Sequence, residues 1–320
     1  MLIYALRRLN LFIITLLILT LIGYNILRLD PSSIFNQQEF WVGWMHYLKQ
    51  LLQGDLGVAA NGTPITESLA RVFPATLELC FFAFLLALII GIPLGTLAGI
   101  RRGSPADIAI SSITLLTFSI PIFWMAILMI MVFSLYLGWL PVSGRYNLLF
   151  EIPQVTGFAL VDVLMSNHPQ RSQALEDIIR HLIMPTLVLA VAPTTEIITL
   201  LRDSVSDVMG QNYIKAAATK GLSKSEIVMR HVLKNALPPI IPKFGIQIST
   251  MMTFAIITES IFNWPGIGTW LLDALSFQDY VAVQAGVLTV GSIVLLANIF
   301  SDLAGAAISP LARKEWYALK

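Results

Sequence analysis

Four carboxylates stand within or at the ends of long apolar runs: Glu78, Glu196, Glu259 and Asp302. A charged side chain inside a bilayer costs at least about 2.5 kcal/mol on insertion scales, so each acid needs a partner, a water-filled cavity, an interface or a proton. Glu78 and Asp302 sit near run ends, where interfacial hydrogen bonding accounts for them. Glu259, close to the end of its run, fits a structural or a pathway role. Glu196 lies inside its run with Thr194, Thr195 and Thr199 beside it and Arg202 further on. That grouping suits either a polar translocation lining or a buried packing contact. Glu196 and Glu259 are the candidate pathway residues, and two acids are compatible with a cationic substrate.

Other chemistry is missing from the residue pattern. His46, His168, His181 and His231 show no metal-ligand spacing with one another or with Cys80, so no metal site is expected. Neither a G-x-S-x-G elbow nor a plausible Cys/His pairing supports a hydrolase. No G-x-x-x-x-G-K-[ST] loop occurs, and ATP hydrolysis needs such a cradle of backbone donors and a lysine. The chain is therefore expected to be no enzyme, with no catalytic residue and no cofactor. Cys80, the only cysteine, reads as a small packing residue.

The elements that must hold these acids are membrane spans. With 56% hydrophobic and 12% charged residues over 320 positions, and a mean hydropathy of +0.77, the chain is far from a soluble globule, which carries about 25% charge. Apolar stretches near 9–28, 76–100, 109–137, 183–201, 240–262 and 283–306 each reach the roughly 20 residues a spanning helix needs. They predict an all-α membrane protein of six transmembrane helices, with Pro93, Pro121, Pro185 and Pro193 tolerated inside spans. The first run, preceded by Arg7 and Arg8, reads as a retained anchor and not as a cleaved leader.

Cation placement predicts orientation. With the N-terminus cytoplasmic, 14 of the 20 Lys and Arg residues fall inside and 6 outside. Both termini are then cytoplasmic, and outer loops cover about 29–75, 138–182 and 263–282. In the first outer loop Phe40, Trp41, Trp44, Tyr47, Leu48, Leu51 and Leu52 form an amphipathic stripe, expected to lie at the membrane surface or against the bundle. Trp139 and Trp264 stand in turns that suit the outer interface. No basic stripe with interleaved aromatics appears, so membrane lipids and not nucleic acid are the expected surroundings.

Between the fourth and fifth runs lies a polar, basic segment, Tyr213 to Pro239, reading YIKAAATKGLSKSEIVMRHVLKNALPP. Asn212 can cap a short helix with a bare face at Ala216, Ala217 and Ala218, and Gly221 supplies the left-handed residue that ends it. Ser223 and Glu226 form a capping box for a second helix, Leu222 can staple onto Ile227, and Pro238-Pro239 stops it. His231 and Asn235 share one face of that second helix. The segment reads as a rigid two-helix elbow that another protein grips.

These residues resemble the six-span inner-membrane permeases of type I ABC importers, in their dipeptide and oligopeptide branch. The resemblance runs nearly end to end. It is carried by Tyr4-Ala5-Leu6-Arg7-Arg8-Leu9, by Phe73-Pro74-Ala75-Thr76-Leu77-Glu78-Leu79 into Gly91-Ile92-Pro93-Leu94-Gly95, and by Ser119-Ile120-Pro121-Ile122-Phe123-Trp124. Gly138 to Gly144 and Thr258 to Gly268 continue it. The elbow is similar to that family's "EAA" coupling loop, with Ala216, Ala217 and Gly221 matching, Lys215 where many relatives have Glu, and Lys234 where many have Pro. Ala192-Pro193-Thr194-Thr195-Glu196, the loop 143–158 and the tail Lys314 to Leu319 resemble the Sap systems within the branch.

The resemblance implies a core permease domain over 75–307 with its coupling loop at 203–238, after an N-terminal helix and periplasmic segment over 1–74, and a cytoplasmic tail over 308–320. It implies a multi-pass protein of the bacterial inner membrane that moves peptides, including cationic antimicrobial peptides, or a polyamine such as putrescine. Its implied partners are a second permease subunit, two cytoplasmic ABC ATPase subunits and, optionally, a periplasmic substrate-binding protein. The coupling residues would be Tyr213, Ala216, Ala217, Gly221, Leu222, Ser223, Glu226, Ile227, His231 and Asn235. The competing class is a self-contained secondary transporter or channel for a cationic solute, although the six spans show no clear pairing of halves.

Overall fold

The computed structural model describes residues 2–31, 33–166 and 169–308. His168 and the tail residues Lys314 to Leu319 lie outside them. Among the described residues every regular element is helical, apart from one isolated antiparallel bridge between Val58 and Pro64.

Among the described residues five helical segments are long and apolar enough to cross a membrane. They are Leu6–Leu27 of α1 (Leu2–Leu27), α3 (Ile65–Ile100), α7 (Arg171–Met209), Ile241–Phe262 containing α11 (Phe244–Phe262), and α13 (Tyr280–Ile308). The sixth candidate crossing is a bent pair. Here α4 (Pro105–Ser119) and the helix from Ile122 to Tyr136, which opens as α5 (Ile122–Met129), meet at 93°. The sequence places Pro121 inside a continuous span, and the structure corrects this. Proline lacks the N–H that would continue the ladder, and Ile120 before it takes an extended backbone (φ −78°, ψ 122°). Pro93, Pro185 and Pro193, by contrast, sit within unbroken helices.

The helix α7 holds 39 residues, about 58 Å, nearly twice the thickness of a hydrocarbon core. It therefore extends past both ends of the run 183–201 and carries residues 203–209, expected in the loop, as its last two turns.

Its partner along this length is α3. Gly91, Gly95 and Gly99 recur every four residues and form a backbone groove against α7. A Cβ at Gly91 would come within 2.7 Å of Ile197, at Gly95 within 2.9 Å of the Ile198 carbonyl, and at Gly99 within 2.7 Å of the Arg202 carbonyl and Val205. Small residues let two helices pack closely where hydrophobic exclusion gives no help.

The remaining spans close around this pair. At one end Arg8 pairs with Asp302 at 3.0 Å, and Ser301 accepts the Gly245 amide at 2.9 Å while donating to the Ile241 carbonyl. The same end carries the α3–α4 turn, where Arg102 meets Asp203 at 3.4 Å. At the opposite end α2 (Phe40–Leu52) turns Tyr47 and half-buried Phe40, Trp44 and Leu51 onto Tyr24, Leu27 and Phe35. Trp41 and Leu52 of the expected stripe face outward. The Tyr47 hydroxyl donates to Gln284 at 2.5 Å, and burial pushes its phenol above the usual range.

Candidate functional site

The elbow is built from α8 (Asn212–Thr219), a turn at Gly221 (φ +83°), and a second helix. That second helix runs through α9 (Lys224–Glu226), a π-helical segment Ile227–Val232 and α10 (Leu233–Ala236). The cap of α8 differs from expectation. Asn212 is the first helical residue, Gln211 precedes it, and no side chain caps the turn. At the second helix Ser223 Oγ accepts the Glu226 amide at 3.2 Å and donates to the Glu226 carboxylate at 3.3 Å. The capping box is thus present in modified form, and Glu226 also reaches Arg230 at 3.3 Å.

The π turn has a physical purpose. The Leu233 amide bonds five residues back to the Val228 carbonyl, so the helix is locally wider. Five residues of ordinary α-helix would rotate Val232 well away from Ile227. The inserted residue brings both onto one buried face, with Ala236 a turn later.

That face docks on the chain's own core. Ile214, Ala217, Ile227, Val232, Ala236 and Ile240 cluster with Leu201 and Val205 of α7, and half-buried Leu222 packs against the same group. Ser204 of α7 adds a hydrogen bond to the Ala236 carbonyl at 2.8 Å. Ala217, expected on a bare outward face, is therefore an inward contact, whereas Ala216 and Ala218 are exposed. Tyr213, Gly221, Ser223 and Asn235 are also exposed, and Glu226 and His231 are half-buried. The Asn235 amide donates to the His231 carbonyl at 2.7 Å. Met229, 64% exposed beside Arg230, completes the outward surface. Sequence reasoning missed it because a regular helix gives no reason to single it out.

Under the elbow lies an ionic clasp that also went unforeseen. Arg202 donates to Asp107 from Nε at 2.5 Å and from Nη2 at 2.8 Å. The buried Asp107 accepts from the Gly103 amide at 2.8 Å in the first turn of α4, and Asp203 stands 3.5 Å from Arg202. A guanidinium committed to this fork is no counter-ion for Glu196.

Glu196 is exposed on α7, and among the described residues its carboxylate has no hydrogen-bond or ion-pair partner. Thr199 is exposed beside it and Thr195 half-buried. Glu259 is the opposite case. It is fully buried, accepting from Thr76 Oγ1 at 2.5 Å and from the amides of Gly268 at 2.7 Å and Thr269 at 3.2 Å. These amides open α12 (Ile267–Ser276), whose unpaired N–H groups attract a carboxylate. The geometry makes Glu259 a helix clamp and does not fit the pathway role expected for it.

Two further expectations change at this end of the molecule. Trp264 is not interfacial: it is fully buried and donates from Nε1 to the Ala75 carbonyl at 3.0 Å. Glu78, expected to hydrogen-bond at an interface, is instead buried, and the buried Arg145 binds it from Nε at 3.0 Å and from Nη2 at 2.5 Å. Trp139 is 59% exposed, and Cys80 is buried in the packing role expected of it. Among the described residues no group of His, Cys, Asp and Glu is arranged to hold a metal ion.

Residues 91–314 match the family described as "Binding-protein-dependent transport system inner membrane component". The chain is 51% identical over 321 residues, covering all of both proteins, to the "Putrescine export system permease protein SapB" of Escherichia coli K12. The same identity and coverage hold for the "Peptide transport system permease protein SapB" of Salmonella typhimurium LT2. The "Di/tripeptide transport system permease protein DppB" of Pseudomonas aeruginosa is 36% identical, with 98% of this chain and all of that protein covered. Among solved structures, a chain of the inward-facing MetNI methionine ABC transporter superposes with a TM-score of 0.58 at 17% identity. That superposition spans 76% of this chain and 96% of the other.

Proposed function

The chain belongs to the family of binding-protein-dependent transport system inner membrane components, and from that premise we propose how it works within an ABC transporter. It is one permease half, paired with a second permease and driven by two cytoplasmic ATPase subunits, and it carries peptides or a polyamine such as putrescine across the bacterial inner membrane. A periplasmic substrate-binding protein is a further partner. The end that holds the elbow, Arg8 and the α3–α4 turn is the cytoplasmic one, as the cation count favours.

The elbow is the observation that carries this reading. Its inner face is welded to Leu201, Val205 and Ser204 of α7, while Tyr213, Ala216, Gly221, Met229 and Asn235 face out. A lever needs that division, with one face gripped from outside and the other fixed to the part that moves. Closure of the ATPases shifts the elbow, and α7 and α11, which it joins, reorient so that the pathway opens on the other side of the membrane. Exposed Glu196 lines the pathway half that this chain supplies, since a carboxylate left without a partner at membrane depth requires water or another subunit.

Purification with the neighbouring subunits and reconstitution in both orientations tests the proposal. Expected are co-isolation of an ATPase, nucleotide-dependent flux, and labelling of an engineered cysteine at Lys215 from the cytoplasmic side only. Flux by the lone chain under an ion gradient, or periplasmic labelling of that cysteine, would overturn it.

A further inference from the structure

The break between α4 and α5 lies beside α7, and the two enclose a cavity of about 290 Å³. Its walls include Phe118, Phe123 and Met125 from the broken span, Val191 and Ala192 from α7, and Phe254 from α11. The surface inside is mostly apolar. Glu196 follows Ala192 by one helical turn, about 6 Å along the axis and nearly on the same face.

Two independent features beside this apolar cavity call for water or another protein surface. Phe118, Ser119, Ile120 and Pro121 are all exposed at the break, where the last carbonyls of α4 lose their helical donors. Irregular backbone at membrane depth persists only where protein buries it or a wet cavity receives it, never against lipid. The unpartnered Glu196 makes the same demand from the adjoining turn of α7.

We propose that the helix break and Glu196 together form a bipartite substrate site for a short peptide that carries one basic and one bulky apolar side chain. The basic group meets the Glu196 carboxylate. The apolar side chain fills the cavity between Phe118, Phe123 and Phe254, and the open carbonyls at the break accept peptide N–H groups. A bare diamine offers two cations and no bulky apolar group, so it matches one part of the site and leaves the cavity unfilled. This inference rests on the reading of Glu196 as a pathway residue and adds the chemical class of the cargo.

The test compares ATP-driven flux of lysyl-phenylalanine, lysyl-glycine and putrescine by the complete reconstituted complex. Lysyl-phenylalanine is expected to be carried about tenfold better than lysyl-glycine, the discrimination a well-formed apolar pocket supplies. Phe118 and Phe123 are 56% and 47% exposed, so the double variant Phe118→Ala/Phe123→Ala keeps the core. It should lower lysyl-phenylalanine flux about tenfold, far more than it lowers lysyl-glycine flux, whereas Glu196→Gln should lower both peptides. Equal rates for the two peptides, or preference for putrescine over both, would overturn the bipartite site even if Glu196→Gln lowers flux. Full flux in Glu196→Gln would remove the pathway reading along with it.

Discussion

Arg202 and Asp107 hold each other through two hydrogen bonds of 2.5 and 2.8 Å, tying the helix that enters the elbow to the first turn of the broken span. Asp107 is almost fully buried, and the fork leaves the guanidinium little freedom to swing. In the lever proposed above, the elbow would push on α7 at Val205, and the Arg202–Asp107 bond would pass that motion to α4. Arg202→Gln should leave a folded complex that hydrolyses ATP but moves at least tenfold less substrate per ATP. Arg202→Lys, which keeps charge without the planar fork, should recover only part of the ratio. Unchanged stoichiometry of transport to hydrolysis in both variants would sink the role.

Gly221 makes a cleaner probe of the elbow. Its φ of +83° is costly for any residue with a Cβ, yet a Cβ built there meets nothing within 4 Å. The penalty of Gly221→Val is therefore purely conformational, at roughly 1 kcal/mol or more. The membrane helices should remain intact while flux falls and ATP hydrolysis persists. Gly221→Asn, which tolerates the left-handed region better, should be milder. Equal losses in the two variants would point to a contact with the ATPase and not to the turn.

Much of this architecture was legible in advance because membrane helices must satisfy their own backbone, so apolar length alone locates them. The elbow was legible for a related reason: Ser223, Gly221 and Pro238 are local signals that act on their immediate neighbours. What could not be read are relationships between residues far apart in the chain. Glu78 and Glu259 look alike as acids near span ends, and only the arrival of Arg145 in one case and the α12 amides in the other separates them. Asp107 follows a Ser-Pro helix start and reads as an ordinary first-turn acid until Arg202 is placed beside it. The π turn at Ile227–Val232 was hidden as well, because it exists to align two buried side chains on a surface the local sequence does not contain.

Glu259 can be separated from Glu196 by experiment. Removing its carboxylate in Glu259→Ala strands the Thr76 hydroxyl and the amides of Gly268 and Thr269, at about 1–3 kcal/mol for each buried group left unpaired. Proteolysis in the 263–270 turn should accelerate, and the midpoint of thermal unfolding should fall. Whatever flux remains should keep its preference among cations. A well-folded Glu259→Gln variant with altered cation selectivity would return this residue to the pathway.

The Glu78–Arg145 pair gives a prediction about packing that is independent of transport. Both side chains are almost completely buried, at 3% and 6% exposure, and Arg145 also donates to the Gly157 carbonyl at 2.8 Å while the Leu160 amide donates to Glu78 at 3.0 Å. The pair thus fastens the 145–160 loop to α3. Removing one partner leaves a buried charge uncompensated, at about 3–5 kcal/mol, whereas removing both charges together costs far less. Arg145→Met should therefore lower the thermal midpoint of the purified complex more than the double variant Glu78→Gln/Arg145→Met does. If the double variant is the less stable of the two, the loop is held by its apolar contacts and the ion pair is incidental.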